Sequence, residues 1–341
     1  MMNNRPFISK KYRTSLLALA IFISPILGTL SIEAQTSATL PIVRQNYDVF
    51  TDGMGVGAGA SDARSHYIFT SPTAIFRNNI HGVTASWSLK TLPFEAHGGE
   101  LGLTTFNAFS IGVKYKQHAF LGGYRYLKNQ NLITTNKLGD SRILKPADMA
   151  VDLGYAFEFN SQWSAFVIGQ FVMSQINKIA YTGGGSIGVS YAPITKTVPV
   201  HLALSLRNVG GLVQYGQKGG KYSMPGSLTL AGDAEYSPHP EWILQGMTTI
   251  DYVLQPANAK LYTIGVGANV VYHKLLSMRV GGTFMNGMNY LSAGAGLHHV
   301  IGLDINASYH HNFQDYRLST FALGITYNLK GTRCSSSPYA Y

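Results

Sequence analysis

The stretch Ala150-Val151-Asp152-Leu153-Gly154-Tyr155-Ala156-Phe157-Glu158-Phe159-Asn160 sets Val151, Leu153, Tyr155, Phe157 and Phe159 at every second position. Asp152, Gly154, Ala156 and Glu158 fill the places between. A period of two sends successive side chains to opposite faces of a strand. Phe321, Leu323, Ile325, Tyr327 and Leu329 repeat the pattern near the C-terminus. In a soluble sandwich the apolar face meets a second sheet. In an outer-membrane barrel it meets lipid, and the other face lines the lumen.

The N-terminus favours the membrane. Arg5, Lys10, Lys11 and Arg13 precede a mostly apolar run, Leu16 to Leu30, and Ile32-Glu33-Ala34 supplies a small residue before a cut. This is the layout of a secretory signal peptide, here residues 1–34, leaving Gln35 first. The run is shorter than the roughly 20 apolar residues of a membrane-spanning helix. No cysteine lies near the cut, which argues against a lipoprotein.

Composition agrees with an exported barrel. Charged residues make up 12% of the chain, against about 25% in an ordinary soluble domain. Mean hydropathy is only +0.04, as expected when half of each strand is apolar. Thirty-seven glycines suit closely packed strands, and 21 tyrosines suit aromatic girdles. The single cysteine, Cys334, excludes an internal disulfide. The net charge is +10, or +7 without residues 1–34. The lysines are scattered singly, with no basic stripe carrying aromatics, so nucleic acid is not expected. Anionic outer-membrane lipid, including lipopolysaccharide, or an acidic protein partner fits better.

About fourteen alternating segments run from Gly82–Thr91 to Ser319–Lys330, most near the 9 to 11 residues of a tilted barrel strand. The expected fold is therefore all-β: a transmembrane antiparallel β-barrel of about 14 strands over residues 81–331, followed by a polar tail, 332–341. An even number of strands lets both ends lie in the periplasm. Short connections fall at Asn160-Ser161-Gln162, at Ser237-Pro238-His239-Pro240, and around Lys274 and Gly302. Long ones fall at Asn129 to Pro146, Gly210 to Pro225 and Asn312 to Leu318, and these are expected outside. Residues 35–80 have no clear period. An irregular segment cannot face lipid, so an internal hatch carrying Gly53, Gly55, Gly57 and Gly59 is expected.

Several segments resemble the PorV/PorQ family. They are Gly53-Met54-Gly55-Val56-Gly57-Ala58-Gly59-Ala60 with Ser71-Pro72-Thr73-Ala74-Ile75-Phe76, and Gly122-Gly123-Tyr124-Arg125-Tyr126-Leu127. Lys145-Pro146-Ala147-Asp148-Met149-Ala150-Val151-Asp152-Leu153-Gly154-Tyr155 and Leu204-Ser205-Leu206-Arg207-Asn208-Val209-Gly210 complete the set. The resemblance runs from about Asp52 to Lys330. It implies a FadL-like, fourteen-stranded outer-membrane barrel of the Bacteroidetes type IX secretion system, binding secreted cargo or anchoring attachment machinery. The alternative class is a FadL-like transporter of small hydrophobic molecules, which needs an apolar pocket behind the hatch and a lateral opening. For a protein partner, the long loops offer cationic and aromatic groups: Lys137 and Arg142 in the first, and Tyr215, Lys218, Lys221 and Tyr222 in the second.

No cofactor, metal or catalytic site is expected. Gly55-x-Gly57-x-x-Ala60 fits a loose dinucleotide pattern, but the acidic residue about 20 positions on is missing. His298-His299 and His310-His311 lie on neighbouring strands, which raises Zn²⁺. Adjacent residues face opposite sides of a strand, so only one of each pair could join a shared site. Asp148, Asp152 and Glu158 share the lumenal face but are too spread for a carboxylate pair. Pairing with Arg125, Arg207 or Lys114 is expected instead.

Overall fold

The computed structural model describes residues 40–77, 82–92, 103–135, 141–195, 198–216, 221–256, 261–286, 288–300, 302–315 and 318–330. The expected signal peptide and polar tail, Lys137 and Lys218 lie outside these residues.

Among the described residues, eighteen strands form. Fourteen of them close a single barrel: β1 (Gly82–Thr91), β2 (Thr105–Tyr115), β3 (His118–Lys128), β6 (Ala147–Glu158), β7 (Trp163–Gln175), β8 (Ile179–Tyr191), β9 (Val200–Gly210), β12 (Ser227–His239), β13 (Trp242–Val253), β14 (Tyr262–Tyr272), β15 (Leu276–Met285), β16 (Met288–Val300), β17 (Leu303–Asn312) and β18 (Thr320–Lys330). Each pairs antiparallel with the next, and β1 pairs with β18 from Gly82↔Lys330 to Thr91↔Phe321. Closure removes the sheet edges that would otherwise expose unpaired backbone. Among the described residues, no helix is long and apolar enough to cross a membrane.

The period of two holds around the wall. On β6, Val151 and Leu153 point outward and are 48% and 69% exposed, while Asp148, Ala150, Asp152 and Ala156 are buried inside. Aromatic residues gather toward both ends of the outer face. Trp163 packs on Tyr191 and Trp242 on Tyr272 at the end that holds Gly82 and Lys330, and Phe171 stacks on Tyr181 at the other. This is the girdled apolar band of a membrane barrel. Leu153→Asp is accordingly expected to destabilise the barrel in a bilayer by about 2 kcal/mol. A urea titration of refolded protein in lipid vesicles reads it, and an unchanged midpoint would reverse the assignment of faces.

Both barrel termini lie at one end. Tight turns at 116–117, 240–241 and 273–275 lie there, but so does the longer 192–199. At the far end, the two longest connections are not plain loops. Residues 129–146 hold the hairpin β4 (Leu132–Thr135) and β5 (Ser141–Leu144), and residues 211–226 hold β10 (Leu212–Gln214) and β11 (Lys221–Ser223). The Ser237-Pro238-His239 stretch, read from sequence as a turn, extends β12 instead. A register shift between Tyr236 and His239 accommodates Pro238, which has no ladder donor to give.

Candidate functional site

Residues 40–77 fill the lumen. Almost every side chain from Leu40 to Phe76 is buried or nearly so. The segment has little regular structure: 3-10 turns at Pro41–Val43 and Pro72–Phe76, and one helical turn, α1 (Val49–Asp52). Its backbone polar groups are therefore satisfied mainly by turns and side chains. Asp48 caps α1 by accepting from Phe50 N, and it also accepts from Arg64 N and Ser65 Oγ at 3.1 and 2.6 Å. Burial raises its carboxyl above the usual range. These bonds fold the hatch back on itself, so that it enters the barrel as a compact plug.

The glycines in the hatch permit close approach to the wall. Gly55 has φ +68°, a left-handed conformation, and a Cβ there would lie 2.7 Å from Gly282 N. Only glycine meets both demands. Its carbonyl accepts from Thr283 Oγ1 at 2.7 Å, and Gly57 N donates to Thr249 Oγ1 at 2.9 Å. Gly53 closes α1, and Gly59 has φ +111° beside Arg207. On the wall, Gly267 and Gly281 face each other across β14 and β15 and receive the Met54 carbonyl. A side chain at either would overlap that oxygen.

Charged groups pin the plug at several heights. Arg125 donates to both oxygens of Asp152, at 2.6 and 3.0 Å, with both side chains almost wholly buried. The same guanidinium reaches Ile42 O at 3.3 Å and lies 4.8 Å from the Phe69 ring centroid. Asp52 accepts from Lys90 Nζ and Ser308 Oγ at 2.8 and 2.7 Å, and His310 Nε2 lies 3.1 Å away. Burial alone would raise Asp52, but His310 and Lys90 hold it well below the carboxylate range. Arg207 donates to the Phe69 and Thr70 carbonyls. His66 is pushed down to about 3 by burial and stays uncharged.

Sequence reasoning missed Asn208. It sits at φ +53° where the β8–β9 register shifts, and asparagine tolerates that region better than most residues. Its N–H donates to Ser186 Oγ, its Nδ2 to Val43 O, and its Oδ1 accepts from Gln170 Nε2. One residue thus joins a wall bulge to the hatch. The Arg207-Asn208 pair was visible in the sequence, but a bulge is set by cross-strand register, which a single strand does not display.

The remaining expected site residues are placed as follows. Tyr215 is turned inward, bonded to Ser174 Oγ at 2.7 Å and packed on the buried core. Arg142, Lys221 and Tyr222 are exposed. Asp152 takes Arg125, whereas Lys114 and Arg207 go to hatch carbonyls, because the plug's unpaired backbone oxygens compete for the same donors. His298 lies near one end of β16 and His310 near the opposite end of β17, so the two are not brought together.

The lumen is divided. On β2, β3 and β7, inward Phe106, Leu121, Leu127, Phe166, Ile168 and Val172 pack against hatch Ile42, Ile68, Phe69 and Ile75. On β13 to β17, the inward residues include Thr249, Asn269, Arg279, Ser292, Asn306 and His310. Two cavities among the described residues are small, about 60 Å³ beside Arg44, Arg207 and Asp251, and about 20 Å³ beside Arg77 and His201. An apolar cavity of about 150 Å³ is known to take up benzene.

No family model matches the chain, and no curated protein does. Solved structures do. The Pseudomonas putida toluene transporter TodX superposes with a TM-score of 0.63 at 11% identity, over 84% of this chain and 100% of its own. The Ralstonia pickettii toluene transporter TbuX gives 0.61 at 11%, over 85% and 100%. The CymD monoaromatic hydrocarbon channel gives 0.61 at 12%, over 86% and 100%. The chain has the FadL-like barrel fold. At these identities the likeness speaks for the fold alone.

Proposed function

We propose that this chain is an outer-membrane barrel that passes small apolar molecules. The divided lumen carries the reading. A solute porin lines its channel with polar groups, whereas the β2, β3 and β7 side of this lumen is largely aliphatic and aromatic, as ligand sites for apolar molecules are. The solved hydrocarbon transporters and channels of the same fold support it. The barrel termini and most of the tight turns then lie in the periplasm, and the β4–β5 and β10–β11 hairpins lie outside.

The wall offers a sideways route. Pairing between β9 and β12 ends at Arg207↔Ser227, yet β9 runs on to Gly210 opposite Gly184 of β8. Gly183, Gly184, Gly185, Gly210 and Gly211 give this corner little side-chain mass, and buried Met224 closes it from within. The two cavities beside Arg44 and Arg77 are too small for a benzene-sized ligand, so passage through them requires the hatch or the Met224 segment to shift.

A second reading, a type IX secretion component, draws on the sequence resemblance and on the β4–β5 hairpin. There Ile133 and Ile143 sit opposite each other, 58% and 64% exposed, beside exposed Arg142. Deletion of the gene separates the two. The transport reading expects slower growth on an apolar carbon source with surface display of secreted proteins intact. Lost display with unchanged growth would overturn it in favour of secretion.

A further inference from the structure

The outer face of β3, β6, β7 and β8 carries a feature that transport does not use. Lys128 pairs with Ala147, and Ala147 with Gln175, forming one outward row at the external rim. Lys145 stands just before β6, two residues ahead of Ala147, and alternation carried on past Pro146 puts it on the same side. The ladder continues there, with Asn129 N donating to Pro146 O at 3.1 Å. Lys128 and Lys145 are thus diagonal neighbours, about 7–8 Å apart at Cα by strand geometry. Both are exposed, as is Gln175. Like charges so placed repel, and no acidic residue faces outward anywhere on the described parts of β2 to β8.

Directly below lies the row Tyr126, Met149, Met173 and Tyr181, and below that Tyr124, Val151, Phe171 and Gly183. The lysines therefore stand one step above the aromatic belt, at the depth of lipid headgroups. Lower on the wall, one and two strands aside on β7 and β8, lies a run of small residues. Gly169 on β7 pairs with Gly185 on β8, and Gly183 follows, between Leu153 and Ile187. Leu153 is 69% exposed and Ile187 55%. A Cβ built on Gly169 meets nothing within 4 Å. A paired cation above an open apolar furrow matches a phosphate with an acyl chain beneath it.

We propose that Lys128 and Lys145 clamp a phosphate of a lipid A-type glycolipid of the outer leaflet, with one acyl chain lying along Gly169, Gly183 and Gly185. Two exposed ammonium groups on one rim can both give charge-assisted bonds to a phosphate's oxygens, and the furrow removes apolar chain from disordered lipid. The site rests on the outer-membrane placement proposed above and is independent of whether the barrel transports anything.

The test is native mass spectrometry of delipidated full-length barrel titrated with rough lipopolysaccharide, and in parallel with phosphatidylglycerol. Wild type is expected to retain one lipopolysaccharide. Lys128→Ser/Lys145→Ser is expected to bind it about 10- to 30-fold more weakly, near fivefold per lysine. Gly169→Val, which fills the furrow without touching the wall, is expected to weaken it with both lysines in place. Lys116→Asn, removing a charge from a periplasmic turn, is expected to change nothing. Heat-modifiable migration on a gel checks that each variant is folded. Equal affinity in wild type and the double-lysine variant overturns the proposal, as does phosphatidylglycerol binding as tightly as lipopolysaccharide.

Discussion

Replacing Arg125 with leucine is expected to destabilise the folded barrel by about 3–5 kcal/mol, because Asp152 stays buried after losing its bidentate partner. The pair is almost inaccessible to water, and the same guanidinium holds Ile42 O and lies over Phe69. The loss therefore spreads from the wall into the hatch. Asp152→Leu should cost a similar amount by stranding the cation. Arg125→Leu/Asp152→Leu should recover most of the stability, since two apolar side chains of adequate volume can replace a buried ion pair at little cost. Urea titrations in lipid vesicles measure all three. A single-variant cost below about 1 kcal/mol would place the pair in contact with water.

Gly281→Val is expected to expel the plug. A side chain there overlaps the Met54 carbonyl, and the obstacle is backbone rather than a yielding side-chain tip. Overpacking of this kind costs typically about 1–3 kcal/mol where neighbours can adjust. Here the neighbour is a hatch held by Thr283 Oγ1 on Gly55 O and by the Asp52 cluster, so displacement of residues 53–57 is the accessible relief. A Cβ there also lies 2.6 Å from Val266 O on β14, so heat-modifiable migration must first show that the barrel is folded. Planar-bilayer recording should turn from silent to steadily conducting. Gly246→Val is the matched control, because a Cβ at Gly246 meets nothing within 4 Å, and it should stay silent. A silent Gly281→Val barrel that remains heat-modifiable would mean that the hatch yields in place.

Much of the fold is legible in the sequence because a barrel strand repeats one rule. The outward set Val151, Leu153, Tyr155, Phe157 and Phe159 announces both its strand and its face, and most of the fourteen strands start and stop within two residues of where alternation begins and fails. Prolines and short polar clusters place the turns. The exception at Ser237-Pro238-His239 arises because a proline at a register shift costs a strand nothing. The hatch was legible only as an absence of period. Its fold is set by long-range bonds such as Arg207 to Phe69 O and Asn208 to Val43 O, which have no local signature. The glycines at 53, 55, 57 and 59 could be noticed, but their partners, Gly267 and Gly281, are remote in sequence. Tyr215 shows the limit for loops. Its composition suits a partner-facing surface, yet it turns inward because Ser174 and the apolar lumen lie within reach.

The most direct test of the central claim is the initial uptake rate of a radiolabelled monoaromatic hydrocarbon by cells lacking their own transporter for it. Wild type is compared with Val172→Asp, which puts a charge into the apolar side of the lumen, where Val172 is fully buried. With both proteins folded and equally abundant in the outer membrane, the account predicts uptake well above the empty-vector rate for wild type and a return to that rate for Val172→Asp. Wild-type uptake indistinguishable from empty vector would contradict it.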